Sequence, residues 1–326
     1  MKAVQFQDVD KLALAEIDTP SIKADEVLVT SRSVGICHSD FELLEGRYII
    51  PFDYPIIPGH EWAGEIVEVG RDVTDFKPGD RVVGECVIGE DHFGFSISGA
   101  AAEYFVARPE WLHRVPEQLT DTQAALVEPF SCAYFAAMRA DNLNASDTAV
   151  VFGAGPIGLS CVAVASTLGA RVIAAEPNAA RADLARQLGA EEVVDPTADG
   201  FLDTVMELTQ GRGADVVLEA SGQPAAMAAT LEVAGFNARL VNIGIDVGRS
   251  APAQLGLIQS KQLQIRGSIG SPGVWPQTLR FLARTGLDLA PMVTRRFGLD
   301  EAPDAYAAAR QTGENIKVHI ENRSTR

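Results

Sequence analysis

Three residues early in the chain have side chains suited to holding a metal ion. Cys37 lies in GICHSD, and His60 and Glu61 are adjacent in PIIPGHEWAGEIVEVG. A charged pair between a proline turn and an apolar run needs a partner, because an unpaired charge in apolar surroundings costs several kcal/mol or is neutralised. The available partners are an opposite charge, solvent or a metal. Thiolate, imidazole and carboxylate all ligate zinc, and a catalytic zinc keeps one position open for water or substrate. Taken singly, Cys37 also reads as a small buried residue and His60 as a hydrogen-bonded turn histidine.

A second chemical pattern begins after residue 148. TAVVF leads into Gly153-Ala-Gly155-Pro-Ile157-Gly158, and PIGLSCVAVASTLGA continues as a helix. Glycines between a strand and a helix let the backbone approach a pyrophosphate, which the helix N-terminus then holds with free N–H groups and a positive dipole. Such a site needs an acidic residue at the end of the next strand for the ribose hydroxyls, and Glu176 ends RVIAAE. A carboxylate there repels a 2′-phosphate, so NAD is expected over NADP. Arg181 reads either as an adenosine contact or as a solvated helix charge. Ile157, Ile243 and Ile245 complete the expected cofactor contacts.

The elements that position these residues fall into two textures. The first ~120 residues are β-rich by alternation and turn signals, with EVLVTSRSVGI, GEIVEVG and DRVVGECVI as apolar runs and DFKPGD as a turn. DTQAALVEPFSCAYFAAMRAD reads as helical, with Asp121 as a candidate cap. TAVVF, RVIAAE, EEVVD, ADVVLEAS, ARLVNIG and LQIRGSIG then form six strands with helices between them, a pattern that reads as a parallel sheet covered on both faces. After about residue 271 come loop, helix and a last strand, NIKVHIEN. The expected fold is α/β, with one domain at 1–145 plus 271–326 and a six-stranded domain at 146–270.

The chain has 326 residues, 47% hydrophobic and 22% charged, which is enough material for two cores. A net charge of −17 argues against nucleic acid or an anionic membrane surface as a partner. No run has signal-peptide or membrane-span character, and four scattered cysteines without a CxxC pair suit a reducing cytoplasm.

Gly59-His60-Glu61-x-x-Gly64, followed at the same spacing by Gly70 and Val73, resembles the zinc signature of the medium-chain alcohol and polyol dehydrogenases. GICHSD is similar to that family's first-ligand motif and GAGPIG to its cofactor loop. The resemblance implies a GroES-like catalytic domain with a zinc, a Rossmann domain with a nicotinamide cofactor, and an active site in the cleft. LVEPFS (126–131) resembles the sorbitol dehydrogenase branch, where a Glu-Pro pair adds a carboxylate at the zinc. The implied metal set is therefore Cys37, His60, Glu61 and Glu128, with Glu61 and Glu128 able to act directly or through water. The resemblance also gives Ser39 the hydrogen bond to the substrate hydroxyl, Lys317 and His38 basic contacts to cofactor phosphate, and the last Rossmann strand, LQIRGSIG, the pairing of subunits into a homodimer or homotetramer.

Three departures from that family pattern bear on function. The four-cysteine lobe for a structural zinc is replaced by a stretch with Cys86 alone, so one zinc per chain is expected and Cys86 reads as core. A histidine common in the proton relay is replaced by Glu42, which lies three residues after Ser39 and shares its face if the segment is helical; Glu42 reads as a substitute relay base or as a solvated acid. Gly270 and Ser271 stand where sorbitol dehydrogenases carry an Arg-Tyr pair for the polyol, which implies a roomier, less basic pocket. Trp62, Phe93, Phe95 and Trp275 are candidate pocket walls or core. The expected reaction is zinc-assisted hydride transfer between NAD(H) and a secondary alcohol or ketone of a polyol, sugar or cyclitol. Simple alcohols or aldehydes as substrates, a zinc-free reductase of the same fold, and a non-catalytic NAD-binding protein are the alternatives.

Overall fold

Apolar runs broken by glycine and proline turns satisfy their backbone groups by pairing with one another. The computed structural model describes residues 1–245 and 248–322, and its chain divides into two compact units, Met1–Glu128 with Trp275–Arg326, and Pro129–Val274. Positions 323–326 of the expected catalytic segment lie outside the described residues.

In the first unit, strands run side by side in the order Val293–Gly298, Lys317–Glu321, Val27–Gly35, Glu61–Val69, Arg81–Gly84 and Leu112–Arg114. Val27–Gly35 is central, and eight of its nine residues are buried, which suits its run of valines. Along one flank it pairs antiparallel with Glu61–Val69. Its other flank is divided between Tyr104–Ala107 at the start and Lys317–Glu321 at the end. Val29, Val34, Trp62, Ile66, Val82, Phe93, Phe95 and Phe105 belong to the core beneath. Burying each such side chain contributes about 1.5–3 kcal/mol.

The second unit bears out the expected parallel sheet. Its strands are Thr148–Phe152, Arg171–Ala175, Glu192–Val194, Ala214–Glu219, Ala234–Asn242 and Gln264–Gly267. The spatial order is third, second, first, fourth, fifth, sixth, with every pairing parallel. This doubly wound order reverses direction beside the first strand, which is where such sheets bind a dinucleotide.

The boundary differs from the expected residue 146, because the segment 121–141 is two helices, Asp121–Ala125 and Val127–Arg139. Pro129 has no N–H to offer the carbonyl of Ala125, so the helix stops and restarts. Thr120, rather than Asp121, is the N-cap and accepts from the Gln123 amide at 3.2 Å. The second helix belongs to the second unit from Pro129 onward, where the Arg139 carbonyl accepts a hydrogen bond from Arg266 at 2.5 Å. No helix among the described residues is long and apolar enough to cross a membrane.

Candidate metal centre and cofactor site

Strand register assembles the metal centre. Gly35 pairs with Glu61 across the two central strands, so Cys37, two residues past the end of one strand, meets His60 and Glu61 at the start of the other. The ligand atoms of Cys37, His60 and Glu61 all lie within 4.8 Å of one another. Cys37 is also the N-cap of the helix His38–Leu44, and Asp40 in its first turn accepts the Cys37 amide at 2.8 Å. The other oxygen of Asp40 is 3.4 Å from His60 Nδ1, and both atoms are buried without a hydrogen-bond partner among the described residues. The Phe95 ring packs on His60 at 4.6 Å between centroids, and Tyr48 stacks on Phe95 at 4.1 Å.

Burial opposes charge on His60, but the Asp40 and Cys37 acids that face it outweigh burial and lift its pKa well above the usual value. Glu61 faces Lys317, whose ammonium donates to Oε1 at 2.7 Å and to the Ile36 carbonyl at 3.2 Å. The same ammonium lies 2.6 Å from Glu61 Oε2, although that oxygen accepts no aligned hydrogen bond. Burial works against the Lys317 charge, yet the Glu61 carboxylate and neighbouring acids outweigh it and raise its pKa. A soft thiolate, an imidazole and a carboxylate converging around under-satisfied buried atoms fit zinc and leave room for a further ligand.

Glu128, in the first turn of Val127–Arg139, lies in electrostatic reach of His60, Glu61 and Lys317. Burial lifts its pKa to about 7, with Glu61 and Asp40 adding to the rise and His60 and Lys317 opposing it. The folded value lies above the reference carboxylate value of 4.5, so between the two the folded chain binds the extra proton. Metal-free protein therefore loses stability as pH rises from about 4.5 to about 7, by a few kcal/mol at most. Denaturant unfolding of metal-free Glu128→Gln should show that segment of the stability–pH curve flattened. An unchanged slope would place the titration on another group.

In the second unit, Gly153, Gly155, Glu176 and Arg181 line a cavity of about 510 Å³ together with Phe152, Thr197, Phe201 and Ser221. Gly155 is the N-cap of the helix Pro156–Thr167 and has open space where a Cβ would stand. A Cβ on Gly158 would overlap the Gly153 carbonyl, so the turn closes only with glycine there. Glu176 accepts from the Ala154 amide at 2.7 Å, which braces the turn, and from the Asn178 amide at 2.9 Å in its own loop. Each of its oxygens keeps a lone pair for a ribose hydroxyl. Ile157, half-buried on the first turn of the helix, is not part of the cavity lining. Ile243 and Ile245 are likewise outside the lining; the Ile243 amide donates to the Glu219 carbonyl, and Ile245 is exposed.

The structure revises several expectations. Lys317, expected as a basic contact to cofactor phosphate, is buried with its ammonium against Glu61. Cys86 is half-buried at the margin of the core with its thiol 3.7 Å from the Phe93 carbonyl, and burial pushes its pKa up to about 12. Ser39 and Glu42 share the helix His38–Leu44, both half-buried and one turn apart, whereas His38 is exposed beside Phe41. Trp62, Phe93, Phe95 and Trp275 are all buried. Ser271 receives a hydrogen bond from Ser131 at 2.7 Å. Asp40 went unnoticed, although an acid three residues after an N-cap position is a recognisable capping pattern.

Comparison with known proteins agrees with this geometry. A family model described as "Alcohol dehydrogenase GroES-like domain" matches residues 23–117, and one described as "Zinc-binding dehydrogenase" matches residues 156–284. D-arabitol-phosphate dehydrogenase of Enterococcus avium is 32% identical over 345 residues, covering 99% of this chain and 97% of that protein. Sorbitol dehydrogenase of Bacillus subtilis (strain 168) is 30% identical over 344 residues, covering 98% and 97%. The X-ray structure of 2R,3R-butanediol dehydrogenase from Bacillus subtilis is similar with a TM-score of 0.90 at 29% identity, covering 99% of each chain. With the sheet order and the ligand trio pointing the same way, the chain belongs to the family of zinc-dependent medium-chain alcohol and polyol dehydrogenases.

Proposed function

We propose that this protein transfers a hydride between NAD(H) and the carbinol carbon of a secondary alcohol in a polyol, sugar or cyclitol, using one catalytic zinc per chain. The observation that carries this reading is the convergence of Cys37, His60 and Glu61 at one end of the central strand pair, with Glu128 beside them. A zinc held there supplies a Lewis acid that makes a substrate hydroxyl more acidic, and a bound nicotinamide supplies the hydride acceptor.

The chain's own residues supply the rest. Asp40 orients the His60 ring, and Lys317 sets the Glu61 carboxylate. Ser39 takes the proton released from the substrate hydroxyl and Glu42, one helical turn on, passes it towards solvent. Glu176 binds the ribose hydroxyls and disfavours a 2′-phosphate, which supports NAD. The relatives named for sorbitol and arabitol phosphate, and the butanediol enzyme, all point to secondary alcohols of vicinal polyhydroxy compounds. Among the described residues, the strand Gln264–Gly267 pairs on one side only, with Ala234–Asn242, and Ile265 and Ile269 nearby are exposed. That open edge supports association of subunits into a dimer or tetramer.

NADH formation over polyols, sugars, cyclitols and simple secondary alcohols, with and without a zinc chelator, tests the reading. Activity on one polyol group that chelation abolishes is the expected result. Activity that survives chelation, with no zinc in the protein, would overturn it.

A further inference from the structure

We propose that His319 is a positioning residue for Glu61, holding its second carboxylate oxygen across the α-carbon of Gly35 while Lys317 holds the first. The inference rests on Glu61 acting at the metal. Its basis is a register shared by three strands: Gly35 on the central strand pairs with Glu61 on one side and with His319 on the other. Adjacent strands lie about 4.8 Å apart, so residues two strands apart normally have a side chain between them. Glycine leaves that place open, which is one reason a strand keeps a glycine in its interior.

The opening is filled from both sides. A Cβ built on Gly35 would stand 3.3 Å from His319 Nε2 and would collide with Glu61 Oε2. Both atoms are buried, and neither has a hydrogen-bond partner among the described residues. His319 is fully buried and its Nδ1 is 2.9 Å from Ser33 Oγ. When the Ser33 hydroxyl donates to Nδ1, the ring proton of the neutral imidazole sits on Nε2, the atom on the carboxylate side. Burial, with the nearby charges of Lys317 and Arg296, keeps the His319 pKa well below its usual value, which is consistent with one ring N–H.

Lys317 and His319 are two apart on one strand, so they present to the same face and reach Glu61 together. Glu61 thus has the Lys317 ammonium 2.7 Å from Oε1 and 2.6 Å from Oε2, with the His319 imidazole facing it across the opening at Gly35, and its freedom to approach or leave the metal depends on both. Removing an outer partner of a metal ligand commonly weakens metal binding 10–100-fold.

The test uses the purified full chain with Zn²⁺ alone, its affinity read by competition with a chromophoric chelator, and the visible spectrum of the Co²⁺ form. His319→Leu should weaken Zn²⁺ binding by about tenfold or more and shift the Co²⁺ bands. His319→Gln, which keeps an N–H donor, should recover most of the loss. In a Glu61→Gln background, His319→Leu should add little. Should His319→Leu fail to fold, Ser33→Ala, which frees the ring tautomer, should weaken binding in the same direction. Unchanged affinity and spectrum in His319→Leu, or in Ser33→Ala where that variant stands in, would overturn the inference, and so would an equal loss in the Glu61→Gln background. A wild-type chain that binds no Zn²⁺ would instead sink the proposed function, and this inference with it.

Discussion

Cys37→Ala is expected to empty the metal centre: zinc content falls to near zero, and NADH formation on the best substrate falls by roughly a thousandfold or more. The thiolate is the softest donor of the trio and zinc favours it, so its loss leaves an imidazole and a carboxylate that compete poorly with water for the ion. A zinc contributes several kcal/mol of charge stabilisation at a reacting oxygen, and about 4 kcal/mol corresponds to a thousandfold in rate. Cys37 is a suitable probe because it is half-buried at the start of a helix, and Asp40 remains beside His60 and Glu61 beside Lys317 when the thiol is removed. Metal analysis and kcat on one preparation check the result. Retained activity without zinc would refute the metal-dependent mechanism, and retained zinc would remove Cys37 from the ligand set.

Glu176→Ser moves cofactor preference towards NADP by about a hundredfold in the ratio of kcat/KM values. Two opposite contributions build this shift. The carboxylate lines the cavity, and at about 5 Å and an effective dielectric near 20 each unit of 2′-phosphate charge meets about 3 kcal/mol of repulsion that serine does not exert. On the proposed reading the same substitution removes the carboxylate acceptor for the ribose hydroxyls, and it leaves the Ala154 and Asn178 amides without their acceptor, so absolute rates with NAD are expected to fall. Arg181 lines the same cavity. Steady-state kinetics with both cofactors check this. An unmoved ratio would remove Glu176 from cofactor selection.

Much of the second unit was legible from pattern alone. Six apolar runs separated by helical segments and a glycine turn after the first admit few arrangements, and the observed sheet is one of them. The metal residues were legible by chemistry and family likeness, since Cys37, His60 and Glu61 are rare neighbours of apolar strands. Partnership across strands was harder to read. The pairing of Lys317 with Glu61 is not legible in the sequence, because a strand's own alternation does not say which strand lies beside it. Only the pairing of Lys317–Glu321 with Val27–Gly35 turns Lys317 towards Glu61. His319 was silent for the same reason. The interruption at Pro129 divides the helical segment 121–141 into two helices, a break that composition does not announce.

The bracing of the glycine turn by Glu176 has a thermodynamic consequence. Its hydrogen bond from the Ala154 amide ties the turn to the second strand when the second unit folds, so part of the entropy of ordering it is lost then and not when the dinucleotide arrives. Cofactor affinity and the stiffness of this one turn are therefore linked. A change that loosens the turn raises the dissociation constant for the dinucleotide even when every group that touches the cofactor is left in place.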